Sequence, residues 1–189
     1  MQEGITIAQK PLKEHLEAIG HRDAFLYMMQ LAGTDEPLSE RVIKGIHSLI
    51  LINDRENKGI YRRIGVMIMG AEHQPPEPFL VPVQMERLVG DYPAIREQHH
   101  ILEAVAALHV RFESIHPFID GNGRTGRLLL NFELIKAGLL PVNIKFADRA
   151  AYYDAFDQCR HAGNYDAMTC LIAGYEAEEL QRYIHIIES

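Results

Sequence analysis

Apolar residues recur at spacings of three and four positions along most of this 189-residue chain. Such spacing puts apolar side chains on one face of an α-helix, where they can pack against a core. A chain of this length supports one domain with a single core. We therefore expect a mainly α fold in which residues 1–189 form one domain. The predicted helices cover residues 11–33, 39–52, 82–89, 93–114, 123–137, 147–161 and 165–187.

One segment, about residues 60–76, departs from the helical pattern. From Tyr61 to Ile68 apolar residues alternate with polar ones, and Gly70 and the Pro75-Pro76 pair follow. Alternation favours an extended strand, and glycine and proline favour turns over helix. The sequence therefore predicts a small β-hairpin in this segment.

Charge and composition exclude several classes of protein. The formal net charge of -7 argues against a protein that holds nucleic acid through phosphate contacts. No run approaches the roughly 20 apolar residues of a membrane span, and the first residues do not resemble a secretory signal. Cys159 and Cys170 have no metal-binding spacing and are too few for a disulfide framework. We expect a cytoplasmic protein with no nucleic-acid partner and no membrane.

The segment from His116 to Arg127 concentrates unusual chemistry between two predicted helices. Its glycines allow positive φ angles and a close approach of a ligand to the backbone. The free N–H groups and the dipole of a helix N-terminus attract anions. Arg124 and Arg127 follow on one helical face, and guanidinium groups bind phosphate oxygens in pairs. Together these features predict a site for a polyphosphate.

Two further side chains in this segment suggest catalysis. Asp120 places one carboxylate beside the predicted phosphate site, and Mg²⁺ bound to phosphates is usually held this way. His116 carries an imidazole, whose ordinary pKa of about 6.5 suits a base that takes a proton from an alcohol. The sequence thus predicts phosphoryl or nucleotidyl transfer to a hydroxyl group.

Each residue alone also has a structural explanation. A histidine before proline is often structural, and an aspartate before Gly-Asn-Gly often forms a turn. Arg124 and Arg127, however, would oppose the helix dipole unless an anion compensated their charge. Residues 121–126 also match the dinucleotide fingerprint G-x-G-x-x-G, with Asp148 near the acidic position. That fingerprint must follow a buried strand, and a long helical pattern precedes it here, so we reject it.

Residues His116 to Arg127 match the full Fic signature, His-Pro-Phe-x-Asp/Glu-Gly-Asn-Gly-Arg-x-x-Arg, and the chain therefore resembles the Fic family. The resemblance extends, less specifically, to Gly4–Ile7, Lys10–Leu16 and Tyr61–Pro76. It implies a helical fold and transfer of AMP from Mg-ATP to a Ser, Thr or Tyr hydroxyl of a target protein. His116 would then be the general base and Asp120 the Mg²⁺ ligand. The residues that the resemblance assigns to the nucleotide are Gly121, Asn122, Gly123, Arg124, Gly126, Arg127, Asn131, Tyr152 and Tyr153.

The predicted hairpin is similar to the family's flap, and we call residues 60–76 the flap from here on. The resemblance implies that a target protein adds to it as an extended strand, near Ile68, Met69, Gly70 and Ala71. Fic proteins are commonly restrained by a helix with the pattern Ser/Thr-x-x-x-Glu, and no Ser or Thr here has Glu four residues later. We expect that this inhibitory helix was lost by truncation or is supplied by a partner. Homodimers are also frequent in the family.

Two other kinds of function stay open on sequence grounds. The same scaffold could transfer another phosphate-containing group, or remove AMP from a protein. Gly123 keeps the adenylylating form of the family's signature. A regulatory module that binds nucleotide without turnover is the third alternative, and the intact His116 and Asp120 argue against it because binding alone needs no base.

Overall fold

The computed structural model describes residues 12–68 and 73–188 of the chain. Within these ranges the regular secondary structure is helical, as predicted. The α-helices are α1 (Leu12–Ala32), α2 (Glu40–Ile50), α3 (Val81–Gln98), α4 (Ile101–Ile115), α5 (Asn122–Lys136), α6 (Arg149–Ala162) and α7 (Asp166–Glu188). Two 3₁₀ turns, Pro78–Leu80 and Phe146–Asp148, precede α3 and α6.

Local sequence signals fix several helix ends. The Ser39 hydroxyl accepts a hydrogen bond from the Val42 amide at 3.2 Å and caps α2, as its position in the sequence predicts. Gly138 follows α5 with a φ of 81°, a backbone conformation that costs glycine little and other residues more. The start of α2 and the end of α5 therefore lie where the sequence predicts them.

The boundary between α3 and α4 differs from the prediction, which put a break before Pro93. The helix α3 runs through Pro93 and ends at Gln98. Leu88 and Tyr92 continue one buried face up to the proline, and this packing outweighs the hydrogen bond that a proline cannot donate. The break lies at His99 and His100, where His100 Nδ1 accepts from the Leu102 amide at 3.3 Å and caps α4.

The predicted β-hairpin of the flap is not observed. Residues 60–68 and 73–77 have no regular secondary structure, and its predicted turn at Met69, Gly70 and Ala71 lies outside the described residues. The Arg62 amide donates to Pro117 O at 2.9 Å, and His73 Nε2 contacts Ser114 O at 2.8 Å. These parts of the flap therefore bond to the end of α4 and the loop after it, rather than to each other as strands would.

The helices α4 and α5 pack together at the centre of the molecule. One buried apolar cluster joins them to α1, α2 and α3 and includes Phe112, Phe118 and Phe132. A second cluster joins their other faces to α6 and α7 and includes Phe156 and Ile172. The loop between α4 and α5, residues 116–121, thus connects two helices that are fixed from both sides.

No helix in the described ranges is both long and apolar enough to cross a membrane. Both cysteines are free: Cys159 is buried in the second apolar cluster, and Cys170 is exposed on α7.

Candidate active site

The loop between α4 and α5 has an unusual backbone at both ends. His116 caps the C-terminus of α4 with a φ of 48° and a ψ of 60°, in the left-handed region that non-glycine residues rarely adopt. Gly121 precedes α5 with a φ of 77°. These two turns carry the chain from the end of one buried helix to the start of the next within a few residues. Backbone strain at a non-glycine residue is frequent at functional sites.

Phe118 anchors the middle of this loop in the core. Its side chain is fully buried, and its ring stacks on that of His47, with centroids 3.6 Å apart. The rings of Tyr61 and Phe112 contact it at centroid distances of 5.4 and 6.4 Å. Phe118 therefore fixes the middle of the loop to the core.

The Asn122 side chain also holds the loop. Its Oδ1 accepts from the Phe118 amide at 2.9 Å, and its Nδ2 donates to Phe118 O at 2.8 Å. Asn122 is almost completely buried, so its carboxamide closes the loop on itself. Any contact of this residue with an anion would therefore come from its backbone N–H group.

The first turn of α5 offers amide groups to an anion. The Thr125 amide donates to Gly121 O at 2.9 Å, which leaves residues 122–124 ahead of the first intrahelical donor. Arg124 stands at this helix start, with Nη2 3.7 Å from Asp120 Oδ2 and Nη1 3.8 Å from Glu17 Oε2. A positive guanidinium here is unfavourable for the helix dipole, as the sequence indicated. The two carboxylates offset part of that cost.

A cavity of about 420 Å³ opens beside this helix start. Four of the residues predicted to bind nucleotide line it: Arg124, Arg127, Tyr152 and Tyr153. His21 of α1 lines it as well. Burial lowers the pKa of His21, and the positive charges of Arg127 and Arg124 lower it further. The cavity is therefore electropositive, and a bound polyanion would relieve this repulsion.

His116 is held in a mostly buried position. Its Nδ1 atom lies 4.0 Å from Glu113 Oε2, and the exposed fraction of its side chain is 20%. Burial lowers its pKa, the Glu113 backbone carbonyl opposes this shift, and the charge of Arg62 adds to it. A lowered pKa keeps the imidazole neutral near pH 7, which is the form that accepts a proton.

Glu113 brings a buried carboxyl group next to His116. Burial raises its pKa to about 7, and the charges of Arg127 and Arg160 act in the opposite direction. Its Oε1 atom faces α5 so closely that a Cβ on Gly126 would lie 2.3 Å away. A glycine at position 126 leaves room for this carboxyl group. Packing therefore accounts for the glycine at this position, which the sequence assigned to the nucleotide site.

Asp120 is the predicted Mg²⁺ ligand. Its side chain is 63% exposed and its Oδ1 accepts from the Gly121 amide at 2.6 Å, so its other oxygen faces solvent near Arg124. The described residues contain no group of three or more His, Cys, Asp or Glu side chains arranged to hold a metal. One accessible carboxylate fits a cation whose other ligands are phosphate oxygens and waters.

Two predicted nucleotide contacts have other partners. Asn131 is buried, and its carboxamide bonds to the Val142 amide at 2.8 Å and to Val142 O at 3.0 Å. Tyr152 is buried, and its hydroxyl lies 2.6 Å from His109 Nε2. Tyr153 is 42% exposed and faces the cavity. Direct contact of Asn131 with a nucleotide stays a prediction.

Sequence reasoning did not identify several residues that hold the site. His47 was not singled out, although it interrupts an apolar helix face between Ile43, Ile46 and Ile50, which was a usable signal. Arg62 belongs to the flap, and nothing in the local pattern indicated that it would be buried. His109 of α4 is also buried, and its Nε2 lies 2.6 Å from the Tyr152 hydroxyl.

Comparison with known proteins agrees with this geometry. The model of the Fic/DOC family matches residues 37–134, and the chain belongs to this family. Over 163 residues it is 35% identical to a protein adenylyltransferase Fic of Nematostella vectensis. Over 121 residues it is 36% identical to a probable protein adenylyltransferase of Aquifex aeolicus. These alignments cover 83% and 64% of this chain.

Solved structures of Fic proteins share the fold. A Fic-domain signalling protein of Bacteroides thetaiotaomicron superposes with a TM-score of 0.85 at 26% identity, covering 94% of this chain and 74% of that one. Fic-1 of Caenorhabditis elegans gives a TM-score of 0.86 at 27% identity, covering 99% of this chain and 56% of that one. The present chain spans only 37% of the length of each of the two curated relatives.

Proposed function

We propose that this protein is an adenylyltransferase that moves AMP from ATP to a hydroxyl group of another protein. The observation that carries the proposal is the electropositive cavity beside the α5 N-terminus, which follows His116 by one short loop. The cavity would take the triphosphate, with Arg124 and Arg127 binding its phosphate oxygens and the amides of residues 122–124 adding to the anion site.

The reaction requires a base and a leaving group. His116, neutral near pH 7, would take the proton of the target hydroxyl as its oxygen attacks the α-phosphorus. The bond between that phosphorus and the bridging oxygen to the β-phosphate breaks, and pyrophosphate leaves. Arg124 and Arg127 would stabilise the charge that develops on the departing phosphates.

Mg²⁺ fits this proposal through Asp120, whose carboxylate is accessible beside Arg124. When bound, the cation would neutralise phosphate charge during the transfer. Asp120 would offer one carboxylate oxygen to it, and phosphate oxygens of the nucleotide and waters would complete the coordination.

Relatives support this choice of chemistry. Four relatives are 31–36% identical over their aligned regions; three are named protein adenylyltransferase and one probable protein adenylyltransferase. The effector protein BepC of Bartonella tribocorum, which has the same fold with a TM-score of 0.67 and 18% identity, was solved with bound AMPPNP. An ATP analogue in that protein is consistent with a triphosphate in the cavity described above.

The remaining expectations extend the proposal to partners. The target protein would lie along the flap, near Ile68 and the undescribed residues 69–71. An inhibitory helix from another segment or chain would compete for Arg127, and a homodimer is the oligomer expected from the family. The two free cysteines suit a reducing compartment such as the cytoplasm.

Labelled ATP tests the proposal. The protein is incubated with Mg²⁺, a cell lysate and ATP labelled on either the α- or the γ-phosphate. Label that the lysate incorporates without the added protein is subtracted. We expect the remaining label to come from α-labelled ATP only; remaining label from γ-labelled ATP only would mean phosphate transfer and would refute the proposal.

The His116→Ala variant should lose the transfer while still binding ATP, because the base is removed and the phosphate site is kept. The matched control is His99→Ala, on the exposed residue between α3 and α4. Full transfer by His116→Ala would contradict the assignment of the base.

A further inference from the structure

The side chain of Arg62 bonds to both the flap and the catalytic loop. It is 5% exposed, and its Nε donates to His116 O at 2.8 Å. Its Nη2 donates to Ile115 O at 3.4 Å and to Pro76 O at 2.5 Å, and its Nη1 donates to Ile64 O at 3.1 Å. One buried guanidinium therefore connects the end of α4 with flap residues before and after the undescribed residues 69–72.

The bonds on the α4 side act on a strained residue. His116 is the one non-glycine residue with positive φ in the described part of the chain. Its carbonyl and that of Ile115 belong to the last turn of α4, whose oxygens have no donor inside the helix. Arg62 supplies these donors and a positive charge that the C-terminal end of a helix favours. The left-handed turn that aims the His116 side chain thus depends on Arg62.

The bonds on the flap side fix a segment that lacks regular structure. Ile64 and Pro76 stand on either side of residues 69–72, and their carbonyls converge on the same guanidinium. The backbone amide of Arg62 donates to Pro117 O, and His73 Nε2 lies within hydrogen-bond distance of Ser114 O. In the described residues these contacts replace the strand pairing that the sequence predicted. The position of the flap is therefore set relative to the backbone of the catalytic loop.

We propose that Arg62 is a positioning residue that holds the flap in register with His116. The inference rests on the proposed function, in which the flap seats the target segment and His116 takes the proton of its hydroxyl. Transfer then requires that hydroxyl, imidazole and α-phosphorus be aligned, and small misplacements at such a site lower the rate strongly. Arg62 does not line the cavity that would hold the triphosphate, so ATP binding should be independent of it.

The planar guanidinium is essential to this role. Its three nitrogen atoms donate in different directions within one plane, to carbonyls from three segments of the chain. A lysine ammonium is a single point charge and cannot span the same acceptors. Arg62→Lys keeps the positive charge but loses the three donor directions of the guanidinium. This variant therefore tests the hydrogen-bond geometry separately from the charge. Arg55→Lys is the matched control, because Arg55 is exposed and lies outside the flap.

The test compares wild type, Arg62→Lys, Arg62→Gln and Arg55→Lys in three measurements. The first is the rate of label incorporation from α-labelled ATP into lysate proteins. The second is the dissociation constant for ATP. The third is amide hydrogen exchange. For both Arg62 variants we expect at least a tenfold loss of transfer and less than a twofold change in ATP affinity. Exchange should rise together at the amide of residue 62 and in residues 112–118, while α5 keeps its protection.

Several outcomes would overturn the inference. Wild-type transfer by both Arg62 variants would do so, as would a parallel loss of ATP binding, which would indicate a role in the fold as a whole. If wild type transfers no label, the proposed function fails. The exchange experiment then still tests whether Arg62 connects the flap to the catalytic loop. Unchanged exchange in both segments would refute that connection without reference to activity.

Discussion

The imidazole of His47 lies parallel to the ring of Phe118, with centroids 3.6 Å apart and ring planes inclined by 4°. His47 also bonds at both ring nitrogens: Nδ1 accepts from the Gly59 amide at 2.9 Å, which makes Nε2 the donor to Asp120 O at 3.0 Å. One fully buried side chain on α2 thereby fixes the ring and the backbone of the loop that carries the signature. Burial lowers its pKa, which keeps this neutral tautomer in place.

Replacing His47 should therefore destabilise the protein. In His47→Leu the Gly59 amide and the Asp120 carbonyl lose their partner, at about 1–3 kcal/mol for each polar group left buried without one. Urea unfolding measures the loss. The control His99→Ala, at an exposed position, should change the free energy of unfolding by less than about 0.5 kcal/mol. A His47→Leu variant as stable as wild type would show that these bonds contribute nothing net.

Gly126 and Gly174 should respond in opposite directions to alanine. Alanine normally stabilises a helix interior by up to about 1 kcal/mol relative to glycine. At Gly126 the new Cβ would lie 2.3 Å from Glu113 Oε1 and 3.2 Å from His109 Cε1, so we expect a loss of stability. At Gly174 of α7 nothing lies within 4 Å, and the usual gain is expected. Thermal unfolding of both variants distinguishes the two effects, and a stabilised Gly126→Ala would contradict the packing described here.

His109 should make the protein sensitive to acid. Burial, assisted by the charge of Arg127, lowers its pKa to about 3. The unfolded chain therefore binds a proton below about pH 6.5 that the folded protein does not, and stability falls as pH decreases towards 3. The slope from this residue is at most about 1.4 kcal/mol per pH unit.

The variant His109→Gln isolates this contribution, because it is neutral at every pH and keeps a partner for the Tyr152 hydroxyl. Free energies of unfolding are compared between about pH 4 and pH 8. We expect the difference between the two proteins to be constant above neutrality and to change in favour of the variant below about pH 6. A constant difference over the whole range would show that His109 takes up its proton in the folded state as readily as in the unfolded chain.

Arg127 should contribute to ATP binding. A charge-assisted hydrogen bond is worth about 1.5–3 kcal/mol, so Arg127→Ala should weaken ATP affinity about tenfold or more. Binding of AMP should change much less, because the lost contacts are those to the terminal phosphates. Isothermal titration calorimetry provides both constants, with Arg182→Ala on the exposed part of α7 as control. Equal losses for AMP and ATP would place Arg127 away from the terminal phosphates.

The signature could be predicted because its chemistry is local. A glycine-lined helix start followed by Arg124 and Arg127 is defined by neighbours along the chain, and so is the cap at Ser39. The break at Pro93 was predicted wrongly for a related reason. A local rule places a helix end before proline, whereas packing of Leu88 and Tyr92 against the core carries α3 past it.

The sequence by itself determined the helical class of this protein, since apolar spacing along the chain is a local signal. The prediction of a polyphosphate site has the same local basis, because it rests on the spacing of residues within one segment. Only the tertiary structure decided what surrounds them. The contact of His47 with Phe118 joins α2 to the loop between α4 and α5, and that of Glu113 with Gly126 joins α4 to α5. The bond of Arg62 to His116 joins the flap to the end of α4. Such pairs have no fixed spacing, because their proximity follows from the packing of whole helices.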